Sequence, residues 1–224
     1  MTSISIHQPA YLPWVAYFDK ISRCDIFIYL DSVQYEKNSF INRNKIKTPK
    51  GTAWLTIPVS QRNHTSQNLS RTLIDEKSSW RRKHLASILL NYSKAPGFGS
   101  LYPSLSEVIS LPISNLSDYL FEHLKYWCSQ LNISTKIYRS SSLGLTSSKS
   151  DLVLDICKLY SASIYYSGPM GANYLSVDDF TRAGIRIDYQ TRSFPHYQQQ
   201  WGDFIPGLSI VDYLMNGGKS YDVV

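Results

Sequence analysis

The sequence predicts an α/β fold: a predominantly parallel sheet covered by helices, in a single domain over residues 1–224 with an elaborated helix-rich middle segment. Three observations carry that prediction. A short apolar strand at 4–6, a Pro-bounded loop, a helical run and a second apolar run at 25–30 follow one another in the order of a βαβ unit. Strand-like and helix-like runs then alternate to the end of the chain, with no internal repeat. A length of 224 residues with 43% apolar and 18% charged residues suits one folded core and excludes a disordered chain.

Each element has a local reason. Pro9 forbids further strand pairing after 4–6, and Pro13 suits the first turn of a helix whose apolar side is Trp14, Phe18 and Ile21. A polar stretch at 32–51 precedes a third strand at 52–59, stopped at Pro58. Residues 80–92 read as a helix with Leu85, Ile88, Leu89 and Tyr92 as its core side, broken by Pro96, Gly97 and Gly99. Leu120, Leu124, Trp127, Cys128 and Leu131 form the strong apolar stripe of a helix at 117–131. A strand at 135–138 enters the Ser- and Gly-rich loop RSSSLGLTSSKSD, which suits anion binding through backbone N–H groups and equally reads as a solvated linker. Ser150 is the expected cap of a helix ending at Leu159, and strands follow at 163–166 and 185–189. A short helix at 209–215 is stopped by Gly217 and Gly218.

The net charge of +6, from 23 Lys plus Arg against 17 Asp plus Glu, favours an anionic partner such as a nucleotide-sugar, coenzyme A or an acidic carrier protein. The basic residues form no stripe long enough for a duplex, so neither a nucleic-acid nor a membrane partner is expected. Seventeen tyrosines and five tryptophans supply rings with a polar handle, suited to sugar faces and bases. Cys24, Cys128 and Cys157 have no zinc spacing and read as buried free thiols in a reducing compartment. The absence of a signal-peptide pattern and of a membrane-length apolar run makes a cytoplasmic location the expectation.

Ligands of parallel sheets bind beyond the C-terminal ends of the strands, and both His7 and Asp31 fall at such ends. His7 is the expected general base, because imidazole exchanges protons near neutral pH, and Asp31 is expected to orient it. Gln8 and Tyr11 would orient a ligand on the same rim, Trp14 would stack on it, and Lys20 would pair with phosphate. Asn42 and Arg43 bring amide and fork-like donors suited to an oxyanion and to phosphate or carboxylate. His84 shares a helix face with Trp80 and is expected at that rim, while Tyr174, His196 and Tyr197 supply a substrate wall from later loops. Each has a plainer structural reading too: a strand-end histidine, a solvated lysine, a turn-capping aspartate, a basic surface loop. The sequence lacks GxSxG, HExxH, Walker and GxGxxG patterns, which disfavours the chemistries they serve, and no metal is expected.

The segments HQPAYLPWVAYFDKI, DSVQYEKNSFINRNKIK, the tryptophan and histidine of WRRKH, YYSGPMGANYL and SIVDYLMNGG resemble the WbqC-like protein family across nearly the whole chain. The resemblance carries over onto His7, Gln8, Pro9, Tyr11, Pro13, Trp14, Tyr17, Phe18 and Lys20, then Asp31, Asn42, Arg43, Trp54, His84, Tyr174 and Asp212. Ala16 departs from it, standing where the family commonly has glycine. Members of that family are often found among genes for O-antigen and other surface polysaccharides. The resemblance supplies the substrate class and no reaction; taken with the basic rim and the base at His7, the expectation is a transferase that places an acyl or aminoacyl group on the amine of a sugar precursor, nucleotide-linked, in surface polysaccharide biosynthesis. An acyl-coenzyme A or acyl-carrier-protein donor would serve that reaction. Nucleotidyl transfer and non-enzymatic binding of a nucleotide-sugar stand as alternatives, the first weakened because HQPA lacks the second histidine of an HxGH pair.

Overall fold

The computed structural model describes residues 1–60, 68–191 and 195–219. Along the chain these form β1 (Ser3–His7), α1 (Val15–Ser22), β2 (Ile26–Tyr29), β3 (Arg43–Thr48), β4 (Gly51–Thr56), α2 (Trp80–Tyr92), α3 (Phe98–Ile109) and α4 (Leu116–Gln130). They continue with β5 (Lys136–Arg139), α5 (Lys149–Leu159), β6 (Ile164–Ser167), α6 (Val177–Arg182), β7 (Arg186–Tyr189) and α7 (Ile210–Met215). Five strands make one parallel sheet in the order β5-β2-β1-β6-β7, and β3 and β4 pair antiparallel apart from it.

The alternation of side chains along a strand sets the layers. In β2, Phe27 and Tyr29 point into a core shared with α1 to α4, α7 and the β3–β4 hairpin. Ile28, with Ile4 and Ile6 of β1, points the other way, into a core with Leu152, Val153 and Ile156 of α5 and Phe180 of α6. A sheet buried on both faces is the condition for all-parallel pairing. Among the described residues, no helix is long and apolar enough to cross a membrane.

The crossovers fix where a cleft opens. From β1 the chain steps to β2 and on to β5 at one edge, then returns to β6 on the other side of β1 and out to β7. The direction of winding reverses between β1 and β6, and the crevice of such a sheet lies at that reversal, outside the C-terminal strand ends.

Three expected elements differ from the structure, the simplest being the helix cap expected at Ser150, which falls on Ser148, directly before α5. The strand at 52–59 does not join the main sheet. Only Pro49 and Lys50 separate Thr48 from its partner Gly51, which forces a hairpin, since a parallel return needs a crossover of a dozen or more residues. Helix α2 has the expected bounds but a different inner face: Trp80, His84, Ile88, Asn91 and Tyr92 are buried, while Leu89 is 45% exposed and Leu90 78%. The inner row follows the i, i+4, i+8 line from Trp80. Cys24, Cys128 and Cys157 are free and buried.

Asp31 sits at the end of β2, fully buried, and is not a ligand-facing carboxylate. It accepts from Arg139 Nε at 2.7 Å, from the backbone N and hydroxyl of Ser141 at 2.9 Å each, and from the hydroxyls of Ser117 and Ser140 at 3.2 Å. Arg139 also reaches Asp118 at 2.5 Å. This network ties the ends of β2 and β5 to the start of α4. Removing one member of a buried pair strands the other, at a cost of about 3–5 kcal/mol. Asp31→Asn is therefore expected to lower stability by about 3 kcal/mol, read by urea denaturation.

Two core histidines add a pH dependence. Burial holds His84 down from 6.5 to about 4 and His123 to about 3. Both stay neutral in the fold while an unfolded chain takes up protons below about 6.5, so stability is retained above that pH and lost as pH falls towards 4. With two such groups the slope approaches about 2.7 kcal/mol per pH unit near pH 5, to be checked by urea melts at pH 7, 6 and 5.

Candidate active site

His7 ends β1 and is half-buried. Its Nδ1 lies 2.9 Å from the Gln8 carbonyl, which also accepts from the Tyr17 hydroxyl at 3.3 Å. A carbonyl only accepts, so Nδ1 carries the proton and Nε2 keeps its lone pair. Burial, and next the neighbouring Lys20, hold the imidazole down at about 3, so it is neutral at physiological pH. The expected orienting role of Asp31 thus falls to the Gln8 carbonyl, because the Asp31 oxygens are engaged by Arg139 and three serines.

The loop after β1 is held on three sides. Leu12 has φ of 46°, an uncommon conformation for a branched side chain, and its carbonyl accepts from Asn44 Nδ2 at 2.6 Å. Tyr11 N donates to the Phe40 carbonyl at 3.1 Å, and the Pro13 carbonyl accepts from Ile210 N at 2.6 Å. A left-handed leucine costs on the order of 1–2 kcal/mol and persists only where its surroundings over-determine it, a pattern that clusters at functional sites.

Two cavities open at the reversal between β1 and β6. The first, about 440 Å³, is walled by Trp14, Tyr17 and Phe40, with Ala16, Gln190 and Gly207 at its edge. The second, about 430 Å³, reaches Gln8, Tyr174 and Lys149 at the start of α5. His7, Lys20, Gly168 and Met170 line both. The first continues outward as a row of rings: His7 to Trp14 at 6.0 Å, Trp14 to Phe40 at 5.3 Å and Phe40 to Trp54 at 5.9 Å. In the wall after β6, Gly171 packs so closely that an added Cβ would lie 1.9 Å from the Ser167 hydroxyl.

Lys20 is not solvated. It is 2% exposed, its Nζ donates to the Ile6 carbonyl at 3.0 Å, and burial lowers it to about 7. The β1–β6 pairing ends at Ser5↔Tyr166, so Ile6 lies one residue beyond it, at the point where the two strands part.

Of the residues expected on one rim, His7, Gln8, Trp14, Lys20 and Tyr174 come together at these cavities. The others do not. Tyr11 is fully buried, bonded to His84 Nδ1 at 2.9 Å, so both belong to the ring-packed core beneath the loop. Asn42 is buried, donates to the Ile57 carbonyl at 2.8 Å and lines a separate cavity beside Tyr35 and Thr56. Arg43 lies over the Trp54 ring at 4.4 Å and donates to the Asn38 carbonyl. Tyr197 donates to Asp212 at 2.7 Å, and the His196 ring lies tilted against Phe204 at 4.4 Å, both away from the two cavities. Asp212 is buried and also accepts from Tyr92 at 2.6 Å.

Phe40, Lys149, Met170 and Gln190 line the cavities without having been singled out in the sequence. The rule that ligands gather beyond parallel strand ends, applied to β6 and β7 as it was to β1, would have found Met170 and Gln190. Nothing local marks Phe40, which is brought in by the hairpin.

No solved structure matches this chain. The chain is 35% identical over 222 residues, 97% of its own length and 95% of the relative's, to protein Rv1507c of Mycobacterium tuberculosis (strain ATCC 25618 / H37Rv), itself described as uncharacterized. The model of the WbqC-like protein family matches residues 8–222, which takes in every element after β1. The chain therefore belongs to the WbqC-like protein family.

Proposed function

We propose that the paired cavities are the two substrate chambers of a group-transfer enzyme, which joins an acyl or aminoacyl group to the amine of a nucleotide-linked sugar precursor in the cytoplasm. The observation that carries this reading is the shared wall: two chambers of similar size meet at His7 and Lys20. A transferase must bring two substrates together at one point, and holding them there supplies much of the rate.

The chambers differ in a way that suggests the assignment. The ring-lined one suits the donor's acyl portion, the rings offering a large apolar face. The other suits the acceptor, with Lys149 at the start of α5 placed for phosphate and Tyr174 for the sugar. At the junction, the lone pair of neutral His7 Nε2 accepts a hydrogen bond from the acceptor amine and turns that nitrogen's own lone pair towards the donor carbonyl. With Asn42 elsewhere, the candidates for stabilising the developing oxyanion are the backbone N–H groups of Gly168 and Met170, Pro169 between them having none. The acyl-coenzyme A or acyl-carrier-protein donor would approach over Phe40 and Trp54, where Arg43 and Lys45 add positive charge.

Incubation with labelled acyl donors and a panel of amino-sugar nucleotides should give an N-linked product. A nucleotide adduct from labelled ATP would replace this reading with nucleotidyl transfer, and saturable nucleotide-sugar binding without product would replace it with a binding protein. His7→Ala should fold, with an unchanged melting temperature within a few degrees, and lower turnover at least tenfold, measured under chemistry-limited conditions. Lys149→Ala should raise KM for the nucleotide-sugar several-fold, leave kcat unchanged, and leave binding of the phosphate-free sugar unchanged.

A further inference from the structure

Lys20 is placed unlike any ordinary lysine of this chain. It projects from α1 to the floor of the cleft, lines both chambers and is 2% exposed. Among the described residues it has no carboxylate partner; the adjacent Asp19 is engaged by Arg23 at 2.6 Å and by Gln190 at 2.6 Å. Among the described residues, its side chain donates to the Ile6 carbonyl alone. A lone carbonyl cannot replace the hydration of an ammonium ion, and a buried cation without a counter-charge sheds its proton. The titratable groups around it do not restore the charge. His7 on β1 is neutral, the Cys24 thiol is pushed up to about 12, the Tyr17 hydroxyl is raised by burial, and across the second chamber stand Lys149 and Tyr174.

We propose that Lys20 is held in the cleft as an uncharged amine and is the group that takes the proton released when the acceptor amine is acylated. This rests on the transferase reading. The acceptor nitrogen attacks the carbonyl carbon of a thioester donor; the C–N bond forms and the C–S bond breaks. The proton leaving the acceptor nitrogen passes to Lys20 Nζ, and the resulting ammonium returns it to the departing thiolate, leaving Lys20 uncharged for the next cycle. An uncharged amine that donates one N–H to Ile6 keeps a lone pair for this purpose. His7 is too weakly basic to take the proton and serves to position the acceptor. Lys20 does not act as a nucleophile, because an amide formed on Nζ would not turn over.

The first test needs no substrate. In protein selectively labelled with 13C-lysine, the Cε resonance of Lys20, identified by its loss in Lys20→Met, should titrate near pH 7, well below the ordinary lysine value of 10.5. A Lys20 resonance that stays in the ammonium position through pH 9 overturns the proposal. The second test uses transfer. The pH profile of kcat/KM should rise through a limb near pH 7 in the wild type and in His7→Gln, and Lys20→Met should fold, lose about 100-fold or more in kcat and lose that limb. A limb that disappears in His7→Gln and persists in Lys20→Met makes His7 the base and overturns the proposal. A Lys20 titration near pH 7 with no transfer from any thioester donor would overturn the transferase reading while upholding the uncharged amine.

Discussion

The central strand β1 is the constraint on which this molecule depends. It is paired on both sides, with β2 over residues 4 to 7 and with β6 only up to Ser5. Because β6 parts from it first, the end of β1 has a neighbour on one side and open space on the other. That opening coincides with the reversal of the winding, and the loop leaving β1 is held by Asn44, by the Phe40 carbonyl and by Ile210. The hairpin and the last helix, far apart in sequence, are thereby recruited to hold a few residues next to one cleft.

Burial of ionisable groups follows two patterns, and the difference bears on function. Asp31 is fully buried with a guanidinium, three hydroxyls and a backbone N–H around it. Lys47 is buried with the side-chain oxygen of Gln199 and the carbonyls of Gly202 and Asp203. Such groups are solvated by the protein and act as ties. Lys20 has a single carbonyl, and His7 offers its Nε2 to a cavity. Groups buried without full replacement of their hydration have their protonation changed instead, and perturbed groups in a cleft mark a candidate site.

The rings show the same division. Tyr11, Trp80, His84, Tyr119 and His123 pack edge to face inside the core, where the hydrogen bond between Tyr11 and His84 satisfies both polar tips. Trp14, Phe40 and Trp54 form an outer row, and Phe40 and Trp54 are left nearly half exposed. Sequence composition counts both sets alike, although only the outer one leads to the cavity at His7.

The sequence by itself determined the strand, helix and strand at the start, the parallel sheet, the bounds of α2, and the position of His7 at a strand end. These are local matters: apolar periodicity, prolines and glycines act within a turn or two of themselves. It also marked Lys20 and Trp14, which lie on the first helix and so travel with His7. Only the tertiary structure decided that Asp31 belongs to Arg139, that His84 and Tyr11 face inward, that Asn42 lies at another cavity, and that Gly168, Met170 and Lys149 join His7. The physical reason is that a side chain's role depends on what is packed against it. For Asp31 that partner comes from β5 and for Tyr11 from α2, while the cleft at His7 is completed by the return crossover to β6 and the loop after it, more than a hundred residues further along the chain.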